Sequence, residues 1–521
     1  MADKFDVVVV GSGFGGAVTA ARLSEKGYKV LVLERGRRWS PETFPRRPDD
    51  PWVWDSTKPA QCNGWFDFRL FPNMAVVQGA GVGGGSLVYA NISVDAKPDS
   101  FDAGWPPEIT FQELTPYYQA VGAMLDVQKV PAKQWPERTT LMKEAAEKSQ
   151  LGSRFRQLDL AVSFDPDWTY QLQNPHAESH SKTFVNAQGQ QQGTCVHLGE
   201  CDIGCKVKAR NTLDLNYLPL AEKKGAEVRP LHLVRNIAPV SGGYRVEFER
   251  ISNGALHPGS VEGRLVILAA GSLGSTEILL RCRDIHRSLP ALSPFLGRNW
   301  SSNGDFLTPA FHPLRAVNPT RGPTITSAID LLDGSADGQA VFIEDGGLPD
   351  LAIGFINDLA TDESTDQRTR ALIESLRVLT RLNAFDRIMP WFAQSRDAAD
   401  GRLSLKDGRL HLDWDIAKSA DAIEAVVRTH ERFARKTAGI PLVPVTWTLA
   451  KDLITPHPLG GANMGTSAEN GVVDHKGEVF GYRNVFVADG AIVPEAIGLN
   501  PSKTIAALAE RIAALIAIDG R

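Results

Sequence analysis

Long apolar runs are missing from this chain of 521 residues. No run approaches the roughly 20 apolar residues that a membrane-spanning helix needs. The first strand-like segment begins within five residues of Met1, which leaves no room for the charged and apolar regions of a secretory leader. The sequence therefore predicts neither a bilayer-spanning protein nor a signal peptide, and a cytoplasmic location is expected.

Charge of one sign and cysteine are also scarce. The net charge is −5, with 56 basic and 61 acidic residues interspersed. Electrostatics therefore gives no reason to expect nucleic acid or an anionic membrane surface as a partner. The chain has five cysteines, and this odd number fits a reducing compartment.

Three of the cysteines are close together in the sequence. Cys195, Cys201 and Cys205 flank His197 and a glycine-rich turn. Their spacing matches no standard zinc pair, so we expect packed small side chains and no metal. A redox or metal module built on these thiols is the alternative.

The start of the chain has the pattern of a dinucleotide site. Residues 5–10 form a β-branched apolar run, typical of a buried parallel strand, and lead into Gly11, Gly13 and Gly16 at G-x-G-x-x-G spacing. Such glycines allow a tight turn and bring a pyrophosphate onto a helix N-terminus. Glu34, 18 residues after Gly16, is expected to bind a ribose 2′-hydroxyl and to repel a 2′-phosphate. The context predicts an adenine dinucleotide, with NAD and FAD both open.

The predicted nucleotide domain is discontinuous. A second glycine cluster occupies residues 79–88, a buried strand at 264–271 precedes a helix expected from Thr276, with Ser272 and Ser275 as caps, and a last strand ends at Asp489-Gly490. A simple NAD dehydrogenase has one compact nucleotide domain. Because this chain leaves its nucleotide domain and rejoins it, FAD is favoured over NAD.

The predicted fold is an α/β fold in two interleaved domains. A Rossmann-type FAD-binding domain comprises residues 1–100, 195–310 and 455–521. An α+β substrate domain, built on an antiparallel sheet, comprises residues 101–194 and 311–454.

Five motifs together resemble the glucose-methanol-choline family of FAD-dependent oxidoreductases, and within it the bacterial cholesterol oxidase branch. They are Gly11-x-Gly13-x-x-Gly16, Gly81–Ser86, His457-Pro-Leu-Gly-Gly461, Asp489-Gly490 and Asn500-Pro501. Residues 211–218 also have a counterpart in that branch. The resemblance spans nearly the whole chain but is patchy over 311–450. It implies oxidation of an alcohol CH–OH group by hydride transfer to flavin N5, with dioxygen or another electron acceptor as the second partner.

The resemblance also implies three catalytic residues. His457 corresponds to the base that faces the flavin, and Asn500 to the residue that holds the substrate oxygen. The alternative for Asn500 is an N-cap of the following helix, and both roles could coexist. Glu344 corresponds to the glutamate that moves a proton between C4 and C6 of a Δ5 ketone. Because Asp345-Gly346-Gly347 follows where apolar residues would be expected, a surface carboxylate pair is the alternative.

The cofactor-binding candidates come from the same motifs, with adenine expected near Val234 and the isoalloxazine ring between the second glycine loop and Asp489. Tyr89 and Asn91 depart from the pattern of sterol oxidases, so oxygen access is expected to differ. The candidates are Gly11, Gly13, Phe14, Gly15, Gly16, Glu34, Arg35, Gly81, Gly84, Gly85, Ser86, Tyr89, Asn91, Val234, Ala270, Gly271, Asp489, Gly490, Asn500 and Pro501.

The substrate is less constrained. Residues 371–392 are amphipathic and end in a group of aromatic side chains, which suits a lid over a large apolar pocket, a patch in transient contact with a membrane, or a core helix. A bulky sterol-like or aromatic alcohol is favoured. The alternatives are a non-redox lyase of the same fold with His457 as base, and a dehydrogenase of small polar alcohols that uses an acceptor other than oxygen.

Overall fold

The computed structural model describes residues 3–350 and 384–517. The helices of this part are α1 (Phe14–Glu25), α2 (Phe111–Met124), α3 (Glu137–Lys148), α4 (Tyr217–Lys223), α5 (Gly271–Leu280), α6 (Ala420–Lys436), α7 (Val445–Ala450) and α8 (Ser502–Leu515). Among the described residues, none of these helices is both long and apolar enough to cross a bilayer.

The strands of the described residues form five sheets. The first ten are β1 (Asp3–Val10), β2 (Val30–Leu33), β3 (Val53–Trp54), β4 (Phe66–Phe71), β5 (Met74–Gly79), β6 (Phe155–Gln157), β7 (Phe184–Val185), β8 (Gln191–Gln192), β9 (Glu227–Arg229) and β10 (His232–Val240). The others are β11 (Gly243–Ser252), β12 (Ala255–Leu268), β13 (Phe306–Phe311), β14 (Ser327–Ala336), β15 (Gln339–Asp345), β16 (Ile388–Ser395), β17 (Arg402–Lys406), β18 (Arg409–Asp413), β19 (Ile440–Pro441), β20 (Leu453–Thr455) and β21 (Val485–Val487).

The largest sheet is built around the first strand. Its order is β10-β11-β12-β1-β2-β9, and β21 pairs with β12. The pairs β1·β12, β1·β2, β2·β9 and β12·β21 are parallel. Both faces of β1 are covered, so the apolar residues 7–10 are buried, as expected for a central parallel strand. Chain segments far apart in sequence thus meet in one sheet.

The two ends of the chain are also joined by their helices. Arg22 of α1 donates from Nε to Glu510 of α8 at 2.7 Å, and the hydroxyl of Tyr217 in α4 donates to the same carboxylate at 2.6 Å. This packing brings the glycine turn at the start of α1 near the loop that precedes α8.

A second sheet is entirely antiparallel, with the order β19-β13-β16-β15-β14-β6. Helix α6 packs against it, with Ile423, Val426 and Phe433 buried. The predicted fold class, a Rossmann-type domain interleaved with an antiparallel substrate-side sheet, is confirmed. Strands β17 and β18 form a separate antiparallel hairpin.

One predicted helix starts earlier than expected. Helix α5 begins at Gly271 and not at Thr276. The backbone N–H of Gly271 donates to Asp489 at 2.8 Å, so a carboxylate more than 200 residues away satisfies the helix N-terminus. The serines therefore do not set the start of this helix.

The aromatic segment, for which a core helix is one of three alternatives, is partly a strand. Residues 371–383 of the predicted amphipathic stretch lie outside the described residues. Residues 388–392 belong to β16, where Ile388, Met389 and Trp391 are buried and the Trp391 ring packs against Phe433 of α6 with ring centroids 5.8 Å apart. β-branched and aromatic side chains fit a strand, so the core-helix alternative is wrong for residues 388–392.

Candidate active site

A single elongated cavity extends from the glycine turn before α1 to His457 and Asn500. Its volume is about 640 Å³, within the range of roughly 300–1,000 Å³ usual for ligand pockets. The predicted cofactor residues that line it are Gly11, Gly13, Phe14, Gly15, Glu34, Arg35, Gly84, Gly85, Tyr89, Val234, Ala270, Gly271, Asp489, Gly490, Asn500 and Pro501. Gly16, Gly81, Ser86 and Asn91 are not among the lining residues and lie behind the wall.

The nucleotide end of the cavity is made of closely packed backbone. A Cβ on Gly11, which has φ +95°, would overlap the carbonyl of Ala269, and a Cβ on Gly15 would overlap the carbonyl of Ala488. Only glycine leaves room here for the turn between β1 and α1. Because this turn presents the free N–H groups of a helix N-terminus to the cavity, it fits a pyrophosphate.

Glu34 lines this end of the cavity but is already engaged. Its Oε2 accepts hydrogen bonds from the backbone N–H and the hydroxyl of Ser12 at 3.0 and 2.7 Å, and its Oε1 accepts from the N–H of Gly36 at 2.8 Å. The carboxylate therefore holds the glycine turn in place. A carboxylate has about four acceptor sites, so capacity remains for a ribose hydroxyl.

A cation-rich wall closes the cavity beyond Glu34. The guanidinium of Arg35 lies 4.1 Å from the centroid of the Trp54 ring and donates to Asp67 at 2.7 Å. Asp67 also accepts from Arg69 at 2.8 Å. Burial alone would raise the pKa of Asp67, but the two arginines hold it below its usual value. The network leaves a fixed array of guanidinium groups beside the expected adenosine site. Sequence reasoning named only Arg35.

The second glycine loop packs directly against the first. A Cβ on Gly84 would lie 2.5 Å from the Cα of Gly13, whereas a Cβ on Gly85 would have nothing within 4 Å because it faces the cavity. Ser86 is buried and its hydroxyl accepts from the N–H of Leu213 at 3.0 Å. The loop thus presents Gly85 to a ligand while Ser86 anchors it.

Arg210 holds the far half of this loop. Its Nε donates to Asn91 at 2.7 Å, and its two Nη groups donate to the carbonyls of Leu87, Ser86 and Tyr89 at 2.6–2.9 Å. Asn91 has φ +66° and is buried, so its side chain supports Arg210 and does not reach the cavity. No local pattern in the sequence singled out this arginine.

Asp489 joins three segments at the middle of the cavity. Its oxygens accept from the N–H of Gly271 at 2.8 Å, the hydroxyl of Ser275 at 2.5 Å and the N–H of Ala491 at 2.8 Å. Burial raises its pKa to about 6 even though these hydrogen bonds oppose the shift. Asp489 therefore fixes the backbone that lines the site.

His457 lies at the other end and is held by a buried carboxylate. Its Nδ1 lies 2.8 Å from Oδ1 and 3.1 Å from Oδ2 of Asp305, and its backbone N–H donates to the Thr455 hydroxyl at 2.9 Å. Because Nδ1 donates to the carboxylate, Nε2 is left as the ring nitrogen with a free lone pair. Burial lowers the pKa of His457, but the charge and hydrogen bond of Asp305 outweigh it and the net pKa is raised.

Asn500 and Glu344 form a second polar group beside His457. The Oε2 atom of Glu344 accepts from Gln394 at 2.9 Å and from the Asn500 amide at 3.4 Å. Burial raises the pKa of Glu344 to about 8, so this carboxyl is mainly neutral at neutral pH. Glu344 Oε1, Asn500 Oδ1 and Gln394 Oε1 are buried without a hydrogen-bond partner. Unsatisfied atoms of this kind favour a site that a ligand completes.

The alternative of a surface carboxylate pair at 344–345 is wrong. Glu344 and Asp345 are both fully buried and point to different partners. Asp345 accepts from the N–H groups of Thr326 and Ser327 at 2.9 and 2.6 Å and lies 3.4 Å from Arg138. Residues alternate across a strand, so one carboxyl faces the site while its neighbour anchors β15.

The N-cap alternative for Asn500 is wrong. Pro501, and not Asn500, occupies the N-cap position of α8.

The cysteine cluster contains free thiols. All five cysteines of the chain are unpaired, and burial raises the pKa of Cys195, Cys201 and Cys205. Within the described residues, no group of three or more His, Cys, Asp or Glu side chains is arranged to hold a metal ion.

Comparison with protein families gives two matches. The family described as GMC oxidoreductase matches residues 397–509, which include His457, Asp489 and Asn500. The family described as an NAD(P)-binding Rossmann-like domain matches residues 9–56, which include the first glycine turn and Glu34.

Comparison with characterised proteins extends over nearly the whole chain. A cholesterol oxidase of Mycobacterium tuberculosis is 33% identical, with 99% of this chain and 91% of that protein covered. A cholesterol oxidase of Acinetobacter baumannii is 30% identical over 97% and 93%. A 2-methyl-1,2-propanediol dehydrogenase of Mycolicibacterium austroafricanum is 23% identical over 98% and 94%. Among solved structures, pyridoxine 4-oxidase from Mesorbium loti has a TM-score of 0.63 at 18% identity, with 98% of each chain covered.

Proposed function

The chain belongs to the glucose-methanol-choline family of FAD-dependent oxidoreductases, and we propose that it oxidises a bulky, apolar alcohol. It is an enzyme that uses FAD to oxidise an alcohol and passes the electrons to an acceptor. What is proposed beyond this is the kind of alcohol, the residue roles, the acceptor and the location in the cell.

The observation that carries the proposal is the position of His457 at the cavity wall. With Nδ1 bound to Asp305, its Nε2 is the atom available to a substrate hydroxyl. Asn500 lines the same cavity, and its buried Oδ1 has no partner within the protein. We assign His457 as general base and Asn500 as the residue that positions the alcohol oxygen.

The protein residues prepare the alcohol for oxidation in two ways. FAD, when bound, accepts a hydride at flavin N5. His457 Nε2 takes the hydroxyl proton, and the negative charge of Asp305 stabilises the resulting imidazolium. Asn500 fixes the oxygen so that the C–H bond keeps one orientation. His457 activity requires the neutral imidazole, so we expect substrate oxidation to increase as the pH rises through the raised pKa of this residue.

The wall around the catalytic end supports an apolar substrate. Its side chains include Leu307, Ile325, Leu348, Pro390 and Phe392, which offer no charge to bind a polar headgroup or sugar. The relatives described above at 30% and 33% identity are cholesterol oxidases. Both facts favour a sterol-like or aromatic alcohol. The 23% identical diol dehydrogenase supports the alternative of a small polar alcohol.

A transient contact with a membrane would give such a substrate a route to the site. Ile454 of β20 lines the cavity and is half exposed, and β4, which β5 separates from β20 in the same sheet, exposes Phe68 and Leu70. Cosedimentation with neutral lipid vesicles tests this part of the proposal, and Leu70→Ser should weaken it. If neither the parent enzyme nor Leu70→Ser binds the vesicles, the proposed membrane contact is wrong, and the proposed alcohol oxidation is unaffected.

Glu344 is proposed as the residue that could move a proton in a ketone product. A neutral carboxyl cannot take a proton from carbon, so with a pKa of about 8 only its ionised fraction can act as base. Isomerisation of a Δ5 ketone should therefore increase from pH 6 to pH 8, and Glu344→Gln should abolish it. The absorbance of the conjugated enone measures both.

We also propose a domain division and a location. The division is residues 1–100, 195–310 and 455–521 for FAD and residues 101–194 and 311–454 for substrate. Strands β6, β14, β15, β16 and β19 of the second sheet support it, whereas β13 of the same sheet is cut by the boundary at residue 310. Five unpaired cysteines support a reducing cytoplasm as the working compartment. Fractionation of the source cells tests the location.

An alcohol panel under anaerobic conditions tests the function. We expect flavin bleaching by bulky apolar alcohols and much slower bleaching by short diols. Admission of air then distinguishes dioxygen, which restores the yellow colour, from another acceptor. If no alcohol bleaches the flavin and a cyanohydrin is cleaved instead, the enzyme is a lyase and the proposal fails.

A further inference from the structure

We propose that Asp305 is a positioning residue of the reaction, whose buried carboxylate fixes the tautomer of His457 and stabilises its protonated form. The inference rests on His457 being the base. It adds a residue to which no sequence motif or resemblance assigned a role.

The geometry of Asp305 is specific to this task. Asp305 lies immediately before β13, and only 1% of it is exposed. Its Oδ1 lies 2.8 Å from Nδ1 of His457, and its Oδ2 lies 2.5 Å from the Thr455 hydroxyl. That hydroxyl also accepts the backbone N–H of His457 at 2.9 Å. The side chain and the backbone of the histidine are therefore tied to one carboxylate.

The position of the carboxylate decides which ring nitrogen reacts. A carboxylate can only accept, so Nδ1 must carry a hydrogen and Nε2 must carry the lone pair. An amide at position 305 could turn its NH2 group toward Nδ1 and would then favour the opposite tautomer. In that tautomer Nε2 bears a hydrogen and cannot take the proton of an alcohol.

The surroundings of His457 make Asp305 the main source of negative charge. Among the described residues, Asp305 and Glu344 are the ionisable groups whose charge acts on this imidazole. Glu344, with a pKa of about 8, is mainly neutral at pH 7, while β16 contributes the uncharged Phe392, with ring centroids 6.3 Å apart. Asp305 alone therefore balances an imidazolium at neutral pH.

The test replaces Asp305 by Asn in the FAD-loaded enzyme and measures two quantities. The first is the rate of anaerobic flavin bleaching against pH. The second does not depend on turnover: the rate at which diethyl pyrocarbonate modifies the peptide containing His457, followed by mass spectrometry at each pH, which reports the pKa of this histidine.

The expected result is a loss of about 10²-fold or more in the bleaching rate, as for loss of a general base, with FAD still bound. The pKa of His457 should fall relative to the parent enzyme. Asp397→Asn is the matched control, because Asp397 is a buried carboxylate that binds Ser301 and Ser302 at 2.7–2.8 Å without touching His457. It should leave the His457 pKa unchanged.

Two results would overturn the assignment. One is a D305N enzyme whose bleaching rate stays within about threefold of the parent and whose His457 pKa does not move. The other needs no variant: a His457 pKa at or below the ordinary value near 6.5 in the parent enzyme. If no alcohol bleaches the flavin, the modification data still decide the role of Asp305, so this failure is separate from a failure of the alcohol assignment.

Discussion

The two ends of the cavity are built in different ways. The nucleotide end is formed by closely packed backbone: Gly11 and Gly15 pack against the carbonyls of Ala269 and Ala488, and Gly13, from the same short segment, packs against Gly84. The catalytic end is formed by polar side chains from four separate segments: Asp305, Glu344, His457 and Asn500. A cofactor site of the first kind tolerates little change in shape, whereas a site of the second kind depends on charge and proton position.

The largest effect should come from the catalytic end. Removing the base with His457→Gln should lower the rate of anaerobic bleaching by about 10²–10⁴-fold and leave the FAD content unchanged, since the nucleotide end is intact. Stopped-flow absorbance measures the rate. His411→Gln, in the exposed hairpin of β17 and β18, is the control and should bleach normally. Loss of FAD from the His457 variant would show that the two ends are not independent.

This difference explains what the sequence could predict. The glycine turn, Glu34 and the following strand are contiguous in the chain, so their spacing alone indicates a nucleotide. The placement of Asn500 and His457 followed from short motifs. Asp305 and Gln394 carry no such motif, because Asp305 meets His457 through the pairing of residues 301 and 459, and Gln394 meets Glu344 through the pairing of β15 and β16.

The core-helix alternative for residues 371–392 is wrong in the described part for a related reason. Ile388, Met389 and Trp391 suit both a buried helix and a strand, and periodicity cannot separate these over so few residues. The pairing with β13 and β15 decides the matter. Likewise, the start of α5 depended on Asp489, whose contact with Gly271 no local pattern contains.

Glu344→Gln should produce the next largest effect, on stability. The pKa of Glu344 is raised from 4.5 to about 8 in the folded state. The folded protein therefore retains a proton that the unfolded chain releases, and stability is lost as the pH rises from 4.5 to 8. A glutamine does not ionise, so Glu344→Gln should raise the free energy of unfolding at pH 7 by an amount on the order of 3 kcal/mol.

Thermal unfolding of the FAD-loaded enzyme at pH 5 and pH 8 measures this effect. The advantage of Glu344→Gln over the parent should be larger at pH 8. The exposed Glu469 is the control: the Ser467 hydroxyl lowers its pKa, so its shift has the opposite sign to that of Glu344. Glu469→Gln should therefore not raise the stability of the enzyme. An equal advantage at both pH values would mean that Glu344 is ionised in the folded enzyme.

The nucleotide end should respond to size and not to charge. In Gly15→Ala the new methyl group overlaps the carbonyl of Ala488, which should cost about 1–3 kcal/mol and weaken FAD binding by about 10- to 100-fold. Gly122→Ala in α2 meets its nearest atom at 3.6 Å and should bind FAD normally. The ratio of flavin to protein absorbance after gel filtration compares them. Full FAD retention by Gly15→Ala would refute the close-packed turn.

The smallest effect should come from the loop between the two ends. Arg210 donates to Asn91 and to the carbonyls of Ser86, Leu87 and Tyr89, and its removal lets this loop move against the cavity. A lysine keeps the charge but not the planar fork. Because about one hydrogen bond to a charged group would be lost, at roughly 1.5 kcal/mol, Arg210→Lys should release FAD about tenfold faster.

Flavin fluorescence on release follows this rate directly. The control is Arg229→Lys at the end of β9, where the guanidinium pairs with Glu227 and Asp3 near the surface; FAD release should not change. If Arg210→Lys instead slows bleaching without releasing FAD faster, this loop supports the catalytic end of the cavity. The part of the cavity that depends on side chains would then extend as far as Gly85. An unchanged enzyme would mean that Ser86, through its bond to Leu213, is sufficient to hold the loop.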